Sequence, residues 1–423
     1  MNASHRLGLG PVFAQIAEFH PELTAFRRDL HAHPELAFEE HYTAKRVVEA
    51  LKLCGVDEVH TGIGGTGVVG VINGRSPAPR SGVRMVGLRA DMDALPMQEH
   101  NEFNWKSCYA GAMHACGHDG HTAMLIGAAR YLAQTRRFRG QAVLIFQPGE
   151  EGHAGARAMM DDGLFERFPC DRIFAQHNSP ETPLGVVGVT PGPMQAAVDR
   201  IEITVRGRGG HAARPQHTVD PVLVSGHLIT AIQSLVSRNL SAFDQAVVSI
   251  CALQSGSVQA MSVIPSEAVL VGTVRTYTEA VQDEIERRLT LLCPTLAQSF
   301  GATAQVTYER IYPATINTAP EAEFAARVAE GLVGEDRVWR DMTPSMGGED
   351  FSFMLQAKPG AYVRIGQGAL SGPGLYPLHN NRYDFNDEIL PLGAALHASL
   401  VEASMPLAKR ASASKTTKAP DGD

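Results

Sequence analysis

GHTAMLIGAARYLAQTRRFRGQAVLIFQPGEE, residues 120–151, places a helical pattern and a strand in immediate succession. Through Phe138 the apolar residues recur at helical spacing, whereas QAVLIFQ is short, apolar and rich in β-branched residues ahead of a Pro-Gly turn. GVVGVIN (67–73) and GVRMVGLRADMD (82–93) upstream, and RIFAQHN (172–178) and AYVRIGQG (361–368) downstream, have the same strand character. Strands alternating with helices imply crossover connections, so the expected fold is α/β with a mixed, largely parallel sheet.

The flanks extend this reading. From Pro11 to about Gly55 apolar residues recur at three and four, broken by HAHPELAFEE, which predicts two helices around a turn. Between Met194 and Ile311 the texture changes. DRIEITVRGRGGHAARP alternates with period two, and a helical run over 219–239, AVVSICALQSG and EAVLVGTVRTYT follow. That pattern predicts an inserted α+β sandwich with one solvated face. The expected division is a catalytic domain over 1–193 and 312–405, an inserted lid or dimerisation domain over 194–311, and a disordered tail over 406–423.

Composition narrows the function. The chain has 423 residues, 44% of them apolar, and a net charge of −8. It is long enough for two domains and lacks the concentrated basic surface that nucleic acid requires. Cys54, Cys108, Cys116, Cys170, Cys251 and Cys293 are scattered without framework spacing, as in a reducing compartment. No signal-like leader and no run of about 18 uncharged apolar residues is present, so the cytoplasm is the expected location and no membrane partner is expected.

MHACGHDGH (113–121) concentrates three histidines, a cysteine and an aspartate ahead of the helix. A thiolate and a neutral imidazole there suit zinc-like ions, although in isolation a polar turn with a buried thiol and a capping Asp119 is the better account of the run. Glu150 and Glu151 end one apolar strand, His177 another, and Asp91 and Asp93 a third. Adjacent carboxylates at a strand end can divide labour between metal and water, or form an acidic turn. Sites in open α/β sheets do gather at the carboxyl ends of strands. His379, in GLYPLHNNRYDFND, reads alone as a loop residue. GIGGTG (62–67) is followed by a strand instead of a helix, so it reads as a hairpin and not as a dinucleotide loop. Neither a nucleophile elbow nor a phosphate loop is found.

Taken in order, RADMDALP, HACGHDGH, QPGEEG, AQHN, GRGGHAARP and LHNNRYDFND resemble the M20 metallopeptidases and amidohydrolases over about residues 20–403. The resemblance is strongest to the branch with hippurate hydrolases, N-acyl-amino-acid amidohydrolases and auxin-conjugate hydrolases. It implies a zinc-peptidase-like catalytic domain with a lid, and a homodimer or homotetramer formed through that lid. By the same resemblance Cys116, His118, Glu151, His177 and His379 are metal ligands and Glu150 is the general base. Many relatives carry histidine where Asp91 stands, so His118 supplies the imidazole and Asp93 orients it from behind. A bridging Cys116 gives two divalent ions three donors each: Cys116, His118 and His177 for one, Cys116, Glu151 and His379 for the other. Zinc or manganese is expected, with cobalt or nickel as alternatives.

His211 resembles a lid histidine that stabilises an oxyanion, in some members from the neighbouring subunit, and Arg275 one that binds a substrate carboxylate. Ser262, in MSVIP, replaces a common asparagine, which puts borrowed substrate names in doubt. The implied reaction is hydrolysis of the amide bond of N-acyl amino acids, with a metallocarboxypeptidase, a dipeptidase or a biosynthetic deacetylase as the alternative.

Overall fold

The computed structural model describes residues 7–79 and 81–408. Its larger sheet has eight strands in the order Glu58–Ile63, Gly67–Asn73, Gln141–Gln147, Met85–Asp91, Arg172–Pro183, Gly360–Gly368, Val187–Gly188 and Val338–Trp339. The pairings among Gln141–Gln147, Met85–Asp91, Arg172–Pro183 and Gly360–Gly368 are parallel, and antiparallel pairings flank them. The central strands are largely apolar because both faces are covered. Val86, Leu88, Leu144 and Phe146 face one hydrophobic cluster, while Val143, Ile145 and Ile173 face a second on the opposite side.

The helix His118–Thr135 lies at the centre of the first cluster, every residue from His118 to Ala129 being buried, and Leu390–Ser404 packs against it. It starts two residues before the quoted stretch, so His118 is its first residue and does not precede it. The N-terminal segment forms three helices instead of the expected two: Gly10–Ala17, His20–Ala32 and His41–Cys54. The first two are separated only by Glu18 and Phe19, and Phe19 is buried. An apolar residue in so short a break preserves the three-four spacing that suggested continuity.

Four antiparallel strands form a second sheet in the order Ala246–Ser255, Glu267–Thr276, Ala197–Arg206 and Thr303–Tyr312. Ile201, Ile203 and Val205 face the helices Pro221–Asn239 and Glu279–Ser299, and the alternate residues are half-buried. The helix starts are set locally: the Asp220 carboxylate accepts from Val222 N–H and the Thr278 hydroxyl from Val281 N–H. The chain leaves and re-enters the larger body through a two-stranded ribbon, Gly192–Gln195 against Thr315–Asn317. Of the expected tail, Pro406 still forms a bridge with Phe138, and residues 409–423 lie outside the described residues.

Candidate metal centre

Strand ends, one helix start and the loop carrying His379 bring the donors together. Gly117 caps the helix with φ 102°, and a Cβ there would lie 2.3 Å from Asn178 Oδ1, so only glycine fits between Cys116 and His118. His118 Nδ1–H donates to the Asp93 carbonyl at 2.9 Å and to Asp93 Oδ1 at 3.1 Å. Its Nε2 is buried and in no hydrogen bond. His177 Nδ1–H donates to the Asn178 carbonyl at 2.7 Å, which turns Nε2 to within 3.4 Å of Cys116 Sγ. His379, at φ 62°, donates its amide to the Ala115 carbonyl at 2.8 Å, and its Nε2 lies 3.3 Å from Glu151 Oε1.

Two donor sets result, each with its ligating atoms within 4.8 Å of one another: Cys116, His118 and His177; and Cys116, Glu151 and His379. The Cys116 thiol belongs to both. Buried His118 Nε2 and Glu151 Oε1, neither in a hydrogen bond, are what a bound cation would satisfy, and sulfur, imidazole and carboxylate suit a borderline divalent ion. The residues therefore fit a pair of such ions. Asp91, His118 and His121 also approach one another. There, however, the Asp91 oxygens are taken by Arg89 at 2.7 Å and His121 at 2.6 Å, so that group is a hydrogen-bonded support.

Behind the donors stands a framework of which the sequence reading named only Asp93. Asp93 serves both ligand segments, since its Oδ2 accepts the Glu151 amide at 2.9 Å while Oδ1 faces His118. Gly149 starts the turn carrying Glu150 and Glu151 with φ 57°. Across that turn, the Tyr312 hydroxyl donates to the Glu150 carbonyl and accepts from Ala154 N–H. Glu150, Glu349 and Asp350 bring carboxyl oxygens within 4.8 Å of one another. Buried Arg89 binds Glu349 at 2.9 Å, Asp350 at 3.0 Å and Gln147 at 2.8 Å. An arginine inside the apolar strand VGLRAD was the available signal, because a buried guanidinium requires acids around it.

Electrostatics follow from this crowding. Burial, then Glu349, Glu151 and Asp350, push the Glu150 carboxyl well above the usual range, and burial drives Asp350 up to about 8 against the pull of Arg89. Burial, with Glu151 and Glu150, also raises the Cys116 thiol. Burial opposes the His118 cation, yet Asp91 and Asp93 hold it up to about 10, while burial and His121 keep His177 neutral. Such an excess of negative charge favours cations, and divalent ions reverse the balance at sulfur and imidazole.

A cavity of about 310 Å³ opens over Cys116, Glu150, Glu151, His177 and His379. Arg275 stands near its rim: its Nε donates to Thr273 Oγ1 at 3.1 Å and its Nη1 lies 3.6 Å from where a Cβ on Gly348 would be. His211 does not line the cavity. It is exposed on the short strand Gly210–His211, paired with Val263, and the Ser262 carbonyl accepts from the adjacent Ala212 amide.

Comparison with known proteins agrees with this geometry. Residues 87–403 match the model of peptidase family M20/M25/M40. The chain is 40% identical over 387 residues to the hippurate hydrolase of Campylobacter jejuni, covering 91% of this chain and 97% of that protein. It is 37% identical over 388 residues to the N-acetylcysteine deacetylase of Bacillus subtilis, covering 90% and 96%. A Bacillus subtilis structure described as a dinuclear metal-binding peptidase from the M20 family superposes with a TM-score of 0.77 at 32% identity, over 92% of this chain and 99% of that one.

Proposed function

The chain belongs to peptidase family M20/M25/M40, and on that premise we propose that it is a metal-dependent amidohydrolase cleaving N-acyl amino acids to a carboxylic acid and a free amino acid. One observation carries the reading: a single thiol, Cys116, is common to two three-donor sets, with a carboxylate that is in neither, Glu150, beside them. Two divalent ions held by Cys116, His118, His177, Glu151 and His379 would acidify a water and polarise an amide carbonyl.

The remaining steps fall to the chain. Glu150, anchored by the Asp350 amide at 3.3 Å, takes a proton from the attacking water and passes it to the leaving amine. Its raised proton affinity suits that return step. Asp93 holds His118 and Glu151 in register. Arg275, half-buried and without a carboxylate partner among the described residues, receives the substrate carboxylate. His211 supplies an oxyanion donor once closure about the ribbon, or a second copy of the chain, brings it to the cavity.

The separate sheet and its ribbon support the division into a catalytic domain, residues 1–193 and 312–405, and an inserted lid, 194–311. Exposed Val247 and Leu253 on the edge strand Ala246–Ser255, with Val222 and Leu223 on the neighbouring helix, support a homodimer through that lid. Among the described residues no helix is long and apolar enough to cross a membrane, and the scattered cysteines support the cytoplasm as compartment.

The test is add-back of zinc, manganese, cobalt or nickel, one at a time, to metal-stripped protein. Activity is assayed on hippurate, N-acetyl amino acids, an indole-acetyl conjugate and dipeptides. Activity should return with zinc or manganese and favour N-acyl amino acids. Full turnover in protein holding no divalent ion, or a preference for dipeptides, overturns the proposal.

A further inference from the structure

The buried arginines of the larger body are saturated by acids. Arg27 binds Asp384 and Asp387, and Arg89 binds Asp91, Glu349 and Asp350. Arg364 is different. It lies on the strand Gly360–Gly368, in parallel register with His177, so it stands beside a metal-donor histidine on the adjacent strand. It lines the same cavity as Cys116, Glu150 and His379, half-buried, with Gln195 and Ser345 nearby on that wall. Its guanidinium meets only backbone carbonyls, Met194 at 3.1 Å and Thr343 at 3.5 Å, and forms no ion pair among the described residues. Glu181 and Glu349 also line the cavity, but neither pairs with Arg364, and Glu349 is engaged by Arg89.

A guanidinium has five N–H donors in a rigid fork matched to a carboxylate. Two carbonyls fix the plane of Arg364 and leave donors over for a ligand, inside a confined space where a charge-assisted bond is strong. An N-acyl amino acid with an uncharged side chain and acyl group has one carboxylate, and Arg275 already meets it in the function proposed above. We propose that Arg364 forms a second carboxylate-binding subsite beside the metal centre, so that the preferred substrates are N-acyl amino acids carrying two carboxylates. The second carboxylate belongs either to a dicarboxylic acyl group or to an acidic amino-acid side chain. This inference rests on the amide-hydrolase reading, but it can fail separately.

Two matched pairs distinguish the sources: N-succinyl-methionine against N-acetyl-methionine for the acyl side, and N-acetyl-glutamate against N-acetyl-glutamine for the side chain. In one pair kcat/KM should favour the dicarboxylate by about ten- to a hundredfold, the range expected of one charge-assisted contact. Arg364→Met should bring that ratio to about one, and Arg364→Lys, which keeps charge without the fork, should leave an intermediate ratio. Ratios near one for both pairs in the unaltered protein, or a preference that survives in both variants, overturn the subsite. Calorimetry with succinate and glutarate against butyrate on zinc-loaded protein gives a reading independent of turnover. If no amide is cleaved but dicarboxylates bind more tightly only when Arg364 is present, the function falls and the subsite stands. Equal binding of the three acids sinks the subsite itself.

Discussion

Replacing Glu150 with Gln separates proton transfer from everything else this side chain does. The amide keeps the length of the carboxylate and the Oε1 acceptor facing the Asp350 amide at 3.3 Å. The turn remains tied by Tyr312, through the Glu150 carbonyl and the Ala154 amide. Only the proton-accepting oxygen is lost. General acid–base catalysis contributes about 10²–10⁴-fold, and at about 1.4 kcal/mol per tenfold step that adds about 3–5.5 kcal/mol to the barrier. Stability should move the other way, because Glu150 is buried with Glu349 and Asp350 within 4.8 Å and Arg89 is the cation bound to that cluster. A neutral amide is spared the cost of burying an acid among those carboxylates, so the metal-stripped variant should melt at the same temperature or higher. The assay follows amine release from an N-acyl amino acid at saturation, alongside metal content. We expect kcat to fall by about 10²–10⁴-fold, with KM within a few-fold and both metals retained. A kcat within fivefold of the unaltered protein, or a loss of activity that tracks loss of metal, refutes the role of Glu150.

Two further outcomes come from the supporting framework. Asp93→Asn leaves one acceptor where two carboxylate oxygens serve His118 and Glu151, so metal affinity should fall by about 10- to 100-fold; competition against a chelator measures it, and unchanged affinity removes Asp93 from the framework. His31 donates to Asp119 at 2.8 Å and Glu99 at 3.2 Å; against the cost of burial they hold its pKa up to about 9 from 6.5. Because the folded value is the higher, the stability His31 contributes is complete below pH 6.5 and lost as pH rises through about 9. The melting-temperature gap between the unaltered protein and His31→Gln should therefore be widest near pH 6 and narrow by about pH 9.5. A gap that stays constant across that range counts against a charged His31.

Short-range periodicity made the architecture legible. QAVLIFQ and VGLRAD are strands because apolar side chains cover both faces of a sheet buried between layers, and the alternation in DRIEITV marks a sheet with one solvated face. The same logic failed between Gly10 and Ala32, where an apolar Phe19 in a two-residue break carries the helical spacing across a real interruption.

The candidate donors could be named from the resemblance of their motifs: one thiol, three imidazoles and a carboxylate, residue types that suit divalent ions where they meet. Tertiary structure alone decided how Asp93 joins two of them and what stands opposite. Asp93 could serve His118 and Glu151 together only after two strand ends had become neighbours, and Arg89 could meet Glu349 only across 260 positions. Arg364 reads in sequence as one more residue of a glycine-rich strand. It faces the candidate metal donors because parallel register sets it opposite His177, and register is a property of the assembled sheet that no local pattern encodes.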